Sequence, residues 1–250
     1  MKKYTLRTRF KKEIVCEFVA PNKKSNKVII VCSGMPGYPS NKEMLFWLAR
    51  RGYWAFLPRY RGTWESGGKF LQKSPHQDVL DIIDELPKGF KDLWSGKVSK
   101  IKNPQVYLIG SSFGGPAVIL ASQSSKVKKV VAFSPEVNWP REKENKVEPL
   151  DWMEKFTHEA FGAGYRLDHK DWKKLETGKF YNPASEIEKI DKKKILIIQA
   201  LDDKHVCTPA VIEFINKLGC QNVILKKGGH LSVRNAMKPE FWKKIKKFFE

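Results

Sequence analysis

The chain predicts an α/β fold: a mostly parallel central sheet with helices on both faces and a small helical insertion. Three observations carry this expectation. Apolar runs such as Val28-Ile29-Ile30-Val31-Cys32 and Ile195-Leu196-Ile197-Ile198 show no polar alternation, as strands buried on both faces do. Segments with apolar residues at helical spacing lie between such runs, which is the pattern of a sheet wrapped by crossover helices. The 250 residues, 41% of them hydrophobic, suffice for one large core.

The elements follow in order. The first thirty residues read as two or three strands. Thr5 to Phe10 and Ile14 to Val19 are rich in β-branched and aromatic residues, and Pro21 to Asn26 is a polar turn. Val28 to Cys32 is a buried strand ending at Ser33-Gly34. Asn41 to Arg51 is a helix with Met44, Leu45, Leu48 and Ala49 on one side, closed by Gly52. Tyr53 to Leu57 is a short strand. His76 to Leu86 is an amphipathic helix through Val79, Ile82, Ile83 and Leu86. Val106 to Ile109 is a strand, and Gly114 to Ser122 a helix. Val130 to Phe133, Ile195 to Ala200 and Asn222 to Lys226 are further strands, and Phe241 to Phe249 closes the chain as a basic helix. Asn138 to Ile190 breaks the alternation. It has no strong strand, and carries Trp139, Trp152, Phe156, Phe161, Tyr165 and Trp172 among many charges. The expected organisation is a single domain over residues 1–250 with a helical cap insertion at about 138–190.

Composition narrows the function classes. The basic N-terminus Met1-Lys2-Lys3 lacks the apolar run of a secretory signal, and no apolar stretch is long enough to span a bilayer, so a cytoplasmic location is expected. The four cysteines (Cys16, Cys32, Cys207 and Cys220) are isolated, so no disulfide framework and no metal site are expected. The net charge of +20 attracts anions. The lysines are nevertheless spread along the chain, in Lys23-Lys24, Lys128-Lys129, Lys192 to Lys194 and Lys243-Lys244. A compact nucleic-acid site would cluster them with aromatics, so no specific nucleic-acid partner is expected.

The chemistry centres on Val106-Tyr107-Leu108-Ile109-Gly110-Ser111-Ser112-Phe113-Gly114-Gly115. This is Gly-x-Ser-x-Gly between a strand and a helix. A serine on so tight a turn needs small residues two positions either side. The turn projects its hydroxyl out of the sheet, and the helix N-terminus behind it favours developing negative charge. Ser112 is therefore the candidate nucleophile.

A serine hydroxyl needs a base. Of His76, His158, His169, His205 and His230, only His230 lies in a loop directly after a late strand, in Lys226-Lys227-Gly228-Gly229-His230. The other four are assigned to helix or cap contexts. The base needs an orienting acid. Asp202 and Asp203 both follow the Ile195 strand; Asp203 is preferred, Asp202 is its rival, and Glu136 is a weaker one. The order Ser112, Asp203, His230 differs from two other serine-hydrolase orders. Oxyanion donors are expected at the N–H of Phe113 and at that of Met35, in the Gly/Pro turn Ser33-Gly34-Met35-Pro36-Gly37. Pro36 itself has no N–H.

These segments, with Tyr60-Arg61-Gly62-Thr63-Trp64-Glu65-Ser66-Gly67-Gly68 and Ala200 to Val206, resemble the α/β-hydrolase superfamily. More narrowly, the chain is similar to its prolyl-oligopeptidase-like and dienelactone-hydrolase-like esterases and peptidases. The resemblance runs from about residue 28 to the C-terminus. Such families usually carry His-Gly where Ser33-Gly34 stands here; the hole donor is a backbone group, so the change need not abolish it. The resemblance implies a structural role for Arg61, assigns Asp203 three residues before Val206, and implies an acyl-enzyme mechanism without metal or organic cofactor. The expected substrate is a small-molecule ester or thioester, with a short peptide as the alternative. A contrasting expectation is a non-catalytic basic protein that binds anionic partners.

Overall fold

The structure, a computed structural model, describes residues 4–38, 40–144 and 149–250. The Met1-Lys2-Lys3 run, and residues 145–148 of the segment expected to cap the molecule, lie outside the described residues.

An eight-stranded sheet forms the centre, in the order β1-β2-β4-β3-β7-β8-β9-β10. Strands β1 (Leu6–Phe10) and β2 (Ile14–Val19) make an antiparallel hairpin at one edge. Then come β3 (Lys27–Cys32), helix α1 (Lys42–Arg50), β4 (Trp54–Pro58) and α2 (Pro75–Glu85). The two-residue strands β5 (Phe90–Lys91) and β6 (Val98–Ser99) pair with each other outside the main sheet. The chain continues through β7 (Gln105–Ser112), α3 (Gly114–Ala121) and β8 (Val127–Pro135). Helices α4 (Leu150–Phe161) and α5 (His169–Trp172) follow, then β9 (Ile195–Ala200), α6 (Thr208–Leu218), β10 (Gln221–Leu225) and α7 (Pro239–Phe249). From β4 to β10 every pairing is parallel.

The period of two along each strand explains the layers. Val28, Ile30 and Cys32 of β3 join the core under α2, α3 and α6. Ile29 and Val31, pointing the other way, join the core under α1 and α7. Ile195 and Ile197 of β9 alternate with Leu196 and Ile198 in the same manner. Each fully buried side chain of this size contributes roughly 2 kcal/mol. Both faces are covered, which is why the runs read as unbroken hydrophobic sequence.

Element bounds shift by a few residues from expectation, chiefly where strands extend into polar ends. Helix α6 has no counterpart among the expected elements. Its signal is present: Pro209 in the first turn, Val211, Phe214, Ile215 and Leu218 at helical spacing, and Gly219 beyond the end in the left-handed conformation (φ +67°). Between residues 138 and 190 the described chain is helical, with α4, α5 and several short 3-10 turns. Single bridges, Thr63 with Tyr165 and Phe70 with Leu167, tie it to the loop after β4. Its aromatics divide. Trp139, Tyr165 and Trp172 are buried in the same core as the sheet, while Trp152 and Phe156 are exposed.

Candidate active site

In a parallel sheet the strand ends gather on one edge, and ligands bind outside the carboxyl ends. Ser112 ends β7, Ser134 and Pro135 end β8, and Asp203 follows β9. The loop after β10 carries His230. Four neighbouring strands thus deliver the sequence-nominated groups to one edge.

Ser112 has φ +51°, a conformation that costs a non-glycine residue of order 1–2 kcal/mol. Close packing holds it there. A Cβ on Gly110 would collide with the Gly114 carbonyl, one on Gly114 with the Cys32 carbonyl, and one on Gly115 with the Pro135 side chain. The turn is therefore pressed between α3, β3 and β8, and only glycine fits at three of its positions. The Ser112 carbonyl accepts the Glu136 N–H at 3.3 Å, which fastens β7 to the end of β8.

The Ser33–Gly37 turn lies against this serine. A Cβ on Gly34 would stand 3.0 Å from Ser112 Cβ and 3.5 Å from its Oγ. Gly37 is gripped from two sides: its N–H donates to Tyr165 Oη at 3.2 Å, and its carbonyl accepts from Trp64 Nε1 at 3.1 Å. Tyr60 Oη donates to the Ser33 carbonyl at 3.1 Å. Met35 is buried within the turn. Phe113, at the N-cap of α3, is fully buried, its ring 5.0 Å from Tyr181 and 5.3 Å from Phe70. Its carbonyl accepts from Tyr181 Oη at 2.5 Å. Met35 and Phe113 therefore sit on the two backbone segments that meet beside Ser112.

The two aspartates take different partners. Asp203 faces His230 Nδ1 through both carboxylate oxygens, at 3.1 and 3.0 Å. Asp202 turns away and accepts the N–H groups of Gly228 and Gly229 at 2.9 and 2.8 Å. It clamps the glycine turn that leads into His230. The Asp203 side chain is fully buried, and that burial alone would raise its pKa. Hydrogen bonds from His230, Ser134 and the His205 N–H outweigh it and hold the carboxyl below its ordinary value. Gln199, also buried, reaches the same carboxylate at 3.4 Å. Glu136 is buried after β8, where its N–H holds the Ser112 carbonyl.

Two further residues matter that sequence reading passed over. Ser134 is fully buried, helps hold the Asp203 carboxyl below its ordinary pKa, and accepts the Leu231 N–H at 3.0 Å. A serine closing a strand carries no distinctive motif, so only the fold exposes it. His205 is the second. It lies in a bend before α6 and not in a helix or cap, and its ring centroid is 5.0 Å from that of His230. The expectation for it is corrected accordingly. His76, His158 and His169 do lie in helices, with His169 bonded to Glu154 at 2.9 Å.

Arg61 lies apart from Ser112 and His230 in its contacts. Its guanidinium pairs with Asp78, with Glu13 at 2.5 Å and with Asp81 at 2.7 Å. Burial works against its charge, and these carboxylates outweigh that and bind its proton more tightly than usual. No disulfide links the four cysteines. Burial pushes the Cys32 thiol up to about 12, far from thiolate chemistry. Among the described residues no group of three His, Cys, Asp or Glu side chains could hold a metal ion, and no helix is long and apolar enough to cross a membrane.

The fold is shared with solved enzymes. An esterase from Pyrococcus furiosus superposes with a TM-score of 0.68 at 17% identity, covering 98% of this chain and 89% of that one. An acylaminoacyl peptidase from Pyrococcus horikoshii superposes with a TM-score of 0.62 at 20% identity. There 98% of this chain matches only 40% of the longer peptidase. No curated protein sequence matches the chain. The sequence signature of the prolyl oligopeptidase family matches residues 39–250, a span that holds Ser112, Asp203 and His230. The chain belongs to the prolyl oligopeptidase family and is a serine hydrolase with the α/β-hydrolase fold.

Proposed function

We propose that the chain cleaves carboxylic esters or thioesters through an acyl-enzyme on Ser112. The observation that carries this reading is the bond between buried Asp203 and His230, on the sheet edge where Ser112 sits in its left-handed turn. Asp203 fixes the imidazole with Nδ1 protonated, leaving Nε2 to take the Ser112 proton as the hydroxyl attacks the carbonyl carbon. The N–H groups of Met35 and Phe113 receive the oxyanion, each worth about 3 kcal/mol of barrier. His230 then returns the proton to the leaving group. Water, deprotonated by the same imidazole, attacks the acyl-enzyme and frees the acid.

An ester is favoured over a peptide by the surroundings of the site. The segment 138–190 acts as a cap, and an aromatic series runs from the Ser33–Gly37 turn onto α4. Tyr38 lies 5.5 Å from Phe161, Phe161 6.1 Å from Phe156, and Phe156 stacks on Trp152 at 4.9 Å. These rings suit an apolar acyl group. A peptide terminus would call for an uncommitted charge. Arg166, beside Tyr165, instead donates to the carbonyls of Trp64, Ser66 and Gly68, and Lys69 is paired with Asp168.

A fluorophosphonate probe should label the wild type and not Ser112→Ala. Absence of labelling on folded protein would overturn the hydrolase mechanism. A panel of p-nitrophenyl esters and aminoacyl anilides then tests specificity, and turnover of anilides alone would establish the short-peptide peptidase in place of the esterase.

A further inference from the structure

Helix α4 carries two aromatic side chains where an amphipathic helix in water would carry charge. Its Leu150, Met153 and Thr157 are buried against the molecule, yet Trp152 and Phe156, one turn apart, are exposed by 43% and 38%. Their rings lie almost parallel, 4.9 Å apart. The row continues beyond the helix. Phe156 meets Phe161 at 6.1 Å, and Phe161 meets Tyr38 at 5.5 Å. Tyr38 is itself exposed by 69%, and Trp64 lies 5.4 Å from it.

The near end of the row belongs to the turn beside the nucleophile. Tyr38 follows Gly37, whose carbonyl and N–H are held by Trp64 and Tyr165. Tyr38, Trp64 and Tyr165 line one narrow cleft together with Gly34. A Cβ on Gly34 would stand 3.5 Å from Ser112 Oγ. Apolar contact is therefore continuous from the turn that borders Ser112 to the outer face of α4.

The size of the row limits what can cover it. At roughly 200 Å² per aromatic side chain, the exposed fractions of Tyr38, Trp152 and Phe156 leave about 300 Å² of apolar surface in water. A stable protein interface needs about 800 Å² from each side. The row is one ring wide, and charged residues of α4 beside it are engaged: Asp151 with Lys173, and Lys155 with Glu159. A narrow apolar strip flanked by neutralised charge matches a single alkyl chain. The three steps from Tyr38 to Trp152 run to about 16 Å, which an extended chain, advancing about 1.2 Å per bond, covers with about a dozen carbons.

We infer that the acyl group of the substrate is a long, unbranched alkyl chain of about ten or more carbons. It runs from Ser112 past Tyr38 and Phe161 and lies along Phe156 and Trp152. The inference rests on the ester hydrolysis proposed for Ser112 and adds which acyl group is cleaved.

A series of p-nitrophenyl esters from acetate to dodecanoate tests it, each kept below its aggregation limit. The value of kcat/KM should rise about twofold per added methylene up to about the decanoate, because one side of the chain stays in water and each methylene is only half buried. Trp152→Ala and Phe156→Ala should together lower the decanoate-to-acetate ratio of kcat/KM by more than about tenfold, chiefly through KM. Trp152→Phe should retain most of that ratio. The ratio compares two substrates on the same protein, so a general loss of folded enzyme does not move it. Acetate or butyrate turned over as well as the decanoate, or a ratio unchanged in the double variant, would overturn the inference and leave ester hydrolysis standing. A wild-type dimer that the double variant dissociates, with the ratio unchanged, would assign the row to a second copy of the chain instead. Labelling of Ser112 by the fluorophosphonate probe without turnover of any ester in the series would remove the ester reading itself, and the acyl site with it.

Discussion

Ser134 accepts the N–H of Leu231 at 3.0 Å, and so joins the end of β8 to the residue that follows His230. The same hydroxyl helps hold the Asp203 carboxyl below its ordinary pKa. One buried group thus sets the position of both the acid and the base. Ser134→Ala should lower kcat for a p-nitrophenyl ester by about 10- to 100-fold with little change in KM. Urea unfolding should show a loss of about 1–3 kcal/mol, because the Leu231 N–H is left without its acceptor.

The two aspartates should separate cleanly. Asp203→Asn keeps the shape but supplies an amide where the imidazole needs an anion, and kcat should fall by about 10⁴. Asp202→Asn removes a clamp on Gly228 and Gly229. It should cost of order 1 kcal/mol of stability and leave kcat within about tenfold. Steady-state kinetics on both variants decides between them. The reverse ranking would move the catalytic acid to Asp202.

Asp203 also predicts a pH dependence of stability. Its folded-state pKa is held below its ordinary value, chiefly by His230 and Ser134 against the opposing effect of burial. The folded state therefore favours the carboxylate. Its contribution is complete above the unfolded value of about 4 and is lost as pH falls through the lowered folded value. Thermal midpoints between about pH 6 and pH 2 should show a smaller acid-side decline for Asp203→Asn than for wild type.

Arg61 holds the loop after β4 through Asp78, Glu13 and Asp81. Arg61→Ala leaves Asp78 buried without its cation and should cost about 3–5 kcal/mol in urea unfolding. Arg61→Lys restores the charge without the planar fork and should recover only part of that loss. Because this loop carries Trp64, which bonds the Gly37 carbonyl, the folded Lys variant should also show reduced kcat.

Much of the fold was legible because it rests on local pattern. Strands β3 and β9 are buried on both faces, so their sequences carry unbroken hydrophobicity, and α7 shows Phe241, Ile245, Phe248 and Phe249 on one side against lysines on the other. The turn at Ser112 was legible because its steric demands fall on Gly110, Gly114 and Gly115, which are adjacent in sequence. Helix α6 shows that a clear signal can be passed over when it follows the candidate acid so closely. His205 could not be placed correctly, since its bend depends on contacts around Asp203.

The sequence by itself determined the layered α/β architecture and nominated Ser112, Asp203 and His230 in their order. These rest on periodicity and on short motifs whose constraints act within a few residues. The tertiary structure alone decided which aspartate meets His230, because Asp202 and Asp203 differ only in where the turn after β9 aims them. It alone brought in Ser134, a residue with no motif, from the neighbouring strand. It also brought Lys23 and Lys24 beside Lys100 and Lys102 around one cleft, since parallel pairing of β3 with β7 aligns strand starts that lie far apart in the chain.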